Sequence, residues 1–326
     1  MQKCKKVVYL DQNFASNLAK AFYLRSWPDP LAPFYLDLHT LLSDLTDCDK
    51  LICPTSPFHR EEGELGNRVK DFLWHFVEQL GYGLSFNHST KIMEYQIVTA
   101  ARAYCGLPAV QRSSWEVAFN RDPQVPVGQL SRPSLLVSIP NSQEFSEYLR
   151  LSRTSIAEEY WNYKIHCRGK RNAYADELEA QKKQYILELF NPRPGLDVKP
   201  SKLGQFLNLL GLAGVVEFHR SVYEILQHST NPNGFFVSPQ LLDCSFIHIW
   251  SSLIAADIFF NQAKRPSSSL FMDFEIVASL LPYVDILTTD GYISDLVMKA
   301  KLSDRFNAQI FTVKQRKALA EQLGNL

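Results

Sequence analysis

Short uninterrupted apolar runs alternate with stretches of helical spacing at both ends of the chain. Val7-Val8-Tyr9-Leu10, within segment 5–10, reads as a buried strand, and Asp11-Gln12-Asn13 turns it into a helical stretch that ends near Trp27-Pro28-Asp29-Pro30. A second helix is expected around Tyr35–Asp44, followed by a strand at Lys50–Pro54. Ser56-Pro57 then opens a helix, with Ser as N-cap and Pro at the first helical position. Along that helix Phe58, Leu65, Val69, Phe72 and Phe76 step by threes and fours, and the place completing the row is taken by Glu62. From Pro239 the same texture returns: a hydrophobic helix near 240–263, a Ser-capped helix from about 269 to 281 and a strand at 284–289. A helix at 292–301, a strand at Gln309–Val313 and a polar final helix complete it.

Between these ends the pattern changes. Pro108, Pro123, Pro126, Pro133 and Pro140 break the segment into helical stretches, and a charged tract runs from about 142 to 190. The expected organisation is one α/β domain interrupted by a mostly helical insertion: residues 1–81, insertion 82–239, residues 240–326. Within the insertion, "YWNYKIHCRGKRNAY" (160–174) interleaves Tyr160, Trp161, Tyr163 and Tyr174 with Lys164, Arg168, Lys170 and Arg171. Such a stretch grips nucleic acid through phosphate contacts and stacking, or else is a solvated helix face whose aromatics pack inward.

Composition adds bounds. With 326 residues and 46% hydrophobic side chains the chain can bury a large core. Lys plus Arg equals Asp plus Glu at 34 each, so net charge points to no particular partner. Six scattered cysteines without CxxC spacing argue against a zinc ribbon or disulfide scaffold and fit free thiols in a reducing compartment. The first apolar run is too short for a signal peptide, and the apolar stretch Ser245–Phe260 contains His248 and Asp257 and falls short of a membrane span. A cytoplasmic protein without a membrane partner is expected.

Candidate chemistry lies in acids placed where apolar residues are expected. Asp11 and Asp290 end apolar strands, Glu62 fills a core-facing helical slot, and Asp273 shares a row with Val277 and Leu280, whereas Glu275 aligns with Ser279 and Pro282. In an open parallel sheet, ligands bind outside the carboxyl ends of the strands, where both strand-end aspartates fall. Carboxylates gathered there repel one another unless a cation compensates them, and an all-oxygen donor set suits Mg²⁺ or Mn²⁺ better than zinc. Two such ions roughly 3.5–4 Å apart activate water and steady a leaving oxygen, so metal-dependent phosphoryl hydrolysis is the implied reaction. Each acid also has a plain structural role open to it. Asp11 can be an N-cap and Asp290 the first residue of an Asp-Gly turn; Glu62 can be a first-turn acid with Glu61 or Glu64 in its place, and Asp273 can yield to Glu275. Asp285 is expected to orient backbone, and His59 to sit on a helix surface or touch phosphate.

Four pieces, "VVYLDQN", "ICPTSPFHREE", "MDFEIVASLLPYVD" and "DILTTD", resemble the PIN-domain superfamily of metal-dependent nucleases. The resemblance covers about residues 1–80 and 240–326. It implies a five-stranded parallel sheet flanked by helices, an acidic pocket for one or two Mg²⁺ or Mn²⁺ ions, and cleavage of RNA or, less often, DNA. Carried over by position, Asp11, Glu62, Asp273 and Asp290 are the metal-binding acids, with Asn13 and Thr288 in support. The chain departs from small members of the family by the long insertion between Glu62 and Asp273. The leading expectation is an endoribonuclease whose insertion selects an RNA, Lys164, Arg168, Lys170 and Arg171 being candidate contacts. The alternative is a catalytically idle PIN-like scaffold that binds RNA, a protein or a second copy of itself through the insertion. A phosphatase with Asp11 as nucleophile, similar to haloacid-dehalogenase enzymes, is weakened by Asn13 standing where a second aspartate is needed.

Overall fold

The computed structural model describes residues 4–23, 29–59, 70–109, 114–130, 143–190 and 215–326, with side chains omitted at 70–75, 114, 143–149 and 215–217. The main elements are β1 (Lys6–Tyr9), α1 (Gln12–Tyr23), α2 (Ala32–Asp47), β2 (Leu51–Ile52), α3 (Lys70–Gly81) and α4 (Ser89–Tyr104). They continue with α5 (Gln143–Cys167), α6 (Tyr174–Phe190), α7 (Val215–Leu226), α8 (Ser245–Phe260), α9 (Leu270–Leu280), β3 (Ile286–Thr288), α10 (Gly291–Lys299), β4 (Gln309–Phe311) and α11 (Arg316–Gly324). The chain divides into two compact units. Unit 1 comprises Met1–His88, Ser113–Ser146 and Leu280–Leu326; unit 2 comprises Ser89–Arg112 and Glu147–Ser279. Composition had placed the boundaries at 81/82 and 239/240; the structure groups α8 and residues 270–279 of α9 with the helical unit.

Unit 1 is built on a parallel sheet in the order β2-β1-β3-β4. Val7 aligns with Ile52, Tyr9 with Leu287, and Leu287 with Ile310. These strands read as continuous apolar runs because helices cover both faces of a parallel sheet. One face carries Val8, Leu10, Leu51 and Ile286, packed against Phe14 and Leu18 of α1, Leu38 and Leu42 of α2, Phe76 of α3 and Leu319 of α11. On the other face Tyr9 stacks on His59 at 5.0 Å and meets Phe86 edge-on at 6.1 Å. Four strands stand among the described residues where five were expected. Next to β2 the chain makes only an isolated parallel bridge between Thr55 and Ser85, because the hydrogen bonds of Thr55 N–H to Leu84 and of Phe86 N–H to Thr55 are not continued. Gly81 is required at the end of α3, since a Cβ there would lie 2.8 Å from the Cys53 carbonyl oxygen.

Unit 2 is helical. α8 is buried from Phe246 to Ile258, and a helix apolar on every side belongs in the middle of a bundle. Two of its polar groups are answered by neighbouring helices. The N–H of Phe246 at its start donates to the Gln96 side chain of α4 at 2.8 Å. Asp257, fully buried, accepts from Lys164 Nζ and from the Tyr160 hydroxyl, both at 2.8 Å. Among the described residues no helix is long and apolar enough to cross a membrane.

A candidate site at the carboxyl edge of the sheet

The order β2-β1-β3-β4 makes the gap between β1 and β3 the topological switch point of unit 1: the chain leaves β1 toward β2 on one side and later lays β3 on the other. Open parallel sheets bind ligands at such a place, outside the carboxyl ends of the strands. Parallel pairing of Tyr9 with Leu287 brings Asp11 beside Thr288. The Asp11 N–H donates to Thr288 Oγ1 at 2.7 Å, and the Thr288 hydroxyl donates back to Asp11 Oδ1 at 3.2 Å. The same Oδ1 accepts the Phe14 N–H at 3.0 Å, which makes Asp11 the N-cap of α1. The Asn13 side chain adds a further hydrogen bond. Asp11 thus keeps some contact with solvent at its rim while its carboxylate is fixed from several directions.

Its pKa shows that these bonds do not cancel the cost of burial. Loss of hydration, the largest influence, raises the Asp11 carboxyl from 3.8 to about 6; the bonds from Phe14, Thr288 and Asn13 pull it down, and the charge of Asp290 pushes it further up. Asp290 therefore lies close enough to be felt. It caps α10, its Oδ1 accepting the N–H groups of Tyr292 at 2.6 Å and Ile293 at 2.8 Å, and Oδ2 takes no part in that cap. Both strand-end aspartates are helix N-caps: the sequence leaves that role open to Asp11, whereas Asp290, read there as the first residue of an Asp-Gly turn, caps α10.

The backbone that presents Asp11 is held by a group the sequence had placed elsewhere. His59, expected on a helix surface, is buried. Its Nδ1 accepts the Ser56 N–H at 3.1 Å, so the ring proton sits on Nε2 and is donated to the carbonyl of Leu10 at 2.5 Å. Burial lowers its pKa to about 4, the bond to Leu10 opposing the shift, so the ring is neutral around pH 7. The available signal was the spacing Ser56-Pro57-Phe58-His59: a side chain three residues after an N-cap can fold back onto the cap. Asp285, at the other end of β3, orients backbone as expected: Oδ2 accepts the Val7 N–H at 2.9 Å and Oδ1 pairs with Lys6 at 2.6 Å.

The other proposed acids stand differently. Glu62, with Glu61 and Glu64, lies outside the described residues. Asp273 belongs to unit 2. Within α9 the expected faces are exchanged: Glu275 is the buried acid and accepts a short hydrogen bond from Ser89 Oγ, whereas Asp273 keeps partial exposure. Phe274, Ile276 and Val277, within two positions of Glu275, are buried too, so helical spacing cannot assign one acid to a buried face. Among the described residues no group of three or more His, Cys, Asp or Glu could hold a metal ion. The donor set at the switch point is two carboxylates, which suits Mg²⁺ or Mn²⁺, ions that keep several waters and bind through one or two carboxylates.

Two of the four basic candidates are corrected. Lys164 is buried and paired with Asp257, and Arg171 Nη1 pairs with the buried Glu177 at 2.9 Å, so these side chains hold unit 2 together. Arg168 and Lys170 are exposed; Arg168 Nε donates to Gln262 at 3.2 Å and Lys170 meets His166 at 2.5 Å. Comparison of the chain with protein-family models, curated proteins and solved structures finds no match.

Proposed function

We propose that the protein is a PIN-like, metal-dependent endoribonuclease whose active site is the edge of unit 1 formed by Asp11, Asp290 and Thr288. The single observation that carries the reading is a carboxylate raised to about 6 by burial at a switch point, with a second carboxylate acting on it. A protein gains nothing structurally from ionising such a group; a hard divalent cation compensates it. Asp11 and Asp290 would hold the ion. Mg²⁺ or Mn²⁺ there would act as Lewis acid and activate water toward a phosphodiester. The chain's own part is positional. Thr288 fixes the rotamer of Asp11 from both sides of its hydroxyl, and neutral His59 anchors the Leu10 carbonyl one residue before it. Purified protein should cleave single-stranded RNA with added Mn²⁺, stop with chelator, and lose both activity and calorimetric Mn²⁺ binding in Asp11→Asn while remaining folded. Undiminished cleavage by Asp11→Asn would refute the assignment.

A second reading is favoured by the helix caps that both carboxylates already provide: a PIN-like scaffold that binds RNA or protein without cutting. RNA binding by a chain that takes up no Mn²⁺ in calorimetry would select it.

A further inference from the structure

Unit 2 contains a cavity of about 250 Å³ walled largely by aromatic rings. Tyr185, Trp250, Phe271, Tyr160 and Tyr163 follow one another around it, with centroid separations of 5.9, 5.9, 5.1 and 6.5 Å. The three tyrosine hydroxyls are engaged: Tyr160 donates to Asp257 at 2.8 Å, Tyr163 exchanges hydrogen bonds with Gln181, and Tyr185 donates to Met93 Sδ at 3.2 Å. What these residues offer the cavity is their rings. Among the described residues that line it there is no Lys, Arg or His, but two are acids, Glu159 and Glu188. Glu188 Oε1 accepts from Gln184 at 2.6 Å, while its Oε2 is buried without a hydrogen-bond partner. Trp250 is 1% exposed and its indole N–H is also without a partner.

A buried carboxylate oxygen and a buried N–H left unsatisfied are both costly, and here they occur in the wall of one aromatic cavity. From this arrangement we propose that the cavity binds a small organic ammonium ion carrying an oxygen acceptor, the cation lying against the rings and Glu188, the oxygen within reach of the Trp250 N–H. Ring faces attract cations through their quadrupole, and the attraction grows as the cation loses its water. Burial also raises the pKa of Glu188, the change expected of a carboxylate awaiting a counter-charge. The inference stands apart from the nuclease reading, because it uses neither the sheet nor its aspartates.

The test is isothermal titration of the full chain with choline and with its neutral isostere, in which a tert-butyl group replaces the trimethylammonium. Choline is expected to bind at least about tenfold more tightly than the isostere, a difference of the size that cation–ring and carboxylate contacts supply. Glu188→Gln keeps the acceptor for Gln184 and removes the charge, and should weaken choline by about tenfold or more while leaving the isostere unchanged. Equal affinity for choline and the isostere, absence of choline binding at millimolar concentration, or unchanged choline binding in a folded Glu188→Gln variant would each overturn the proposal. Should that variant not fold, the comparison of the two ligands on the natural chain decides alone.

Discussion

Replacing Asp11 by Asn removes a charge and leaves the cap, since Asn caps helices as well as Asp and its side-chain oxygen can still accept from Phe14 and Thr288. The consequence for stability follows from linkage. The folded carboxyl titrates at about 6, against 3.8 for the unperturbed group. For an acid raised on folding, the unfolded state gives up its proton first as pH rises. Folding therefore loses stability from about pH 4 upward, and the loss is complete above about pH 6. At about 1.4 kcal/mol per pKa unit the full penalty is about 3 kcal/mol, an upper bound because the rim of the residue meets solvent. Asp11→Asn is accordingly expected to be more stable than the natural protein by up to about 1 kcal/mol near pH 4.5, rising to at most about 3 kcal/mol near pH 8. Urea unfolding followed by circular dichroism across this range measures the gap, and added Mn²⁺ should close it by stabilising only the natural protein. An Asn variant that is less stable near pH 8, or a gap that does not change with pH, would show that burial does not govern Asp11.

The remaining predictions concern the groups around it. Thr288→Val removes both hydrogen bonds to Asp11 at nearly constant volume and should cost about 1–3 kcal/mol in urea unfolding; a neutral result would mean the pair adds nothing. His59 is held neutral with its pKa lowered to about 4, so it contributes stability that is present above about pH 6.5 and lost as pH falls toward 4. His59→Gln should flatten that acid limb in thermal melts, and proton NMR of the natural protein should show one histidine that does not titrate between about pH 5 and 8. Lys164→Met strands the buried Asp257 and should cost about 3–5 kcal/mol, whereas Lys164→Met with Asp257→Leu should recover most of it; an equally damaging double change would place the cost in packing instead.

What could be read from the chain was whatever depends on neighbours in sequence. Val7–Leu10 and the apolar residues of 284–289 announce buried strands because every side chain in them is apolar, as a two-sided sheet demands, and Ser56-Pro57 announces a helix start that Ser56 Oγ does cap, accepting the His59 N–H at 3.3 Å. The strand-end position of Asp11 and Asp290 follows from the same local pattern. What the tertiary structure alone decided was which groups meet across long separations. Lys164 looked like a cationic surface contact because its aromatic and basic neighbours are within a few residues; its partner Asp257 lies 93 positions away and draws it inward. His59 reached the Leu10 carbonyl from 49 positions away, and Glu275 found Ser89 from 186, so neither its burial nor its role is written in helical spacing. Periodicity fixes which face of an element is apolar; it does not say what stands opposite. A buried charge is placed by the one distant group that can answer it.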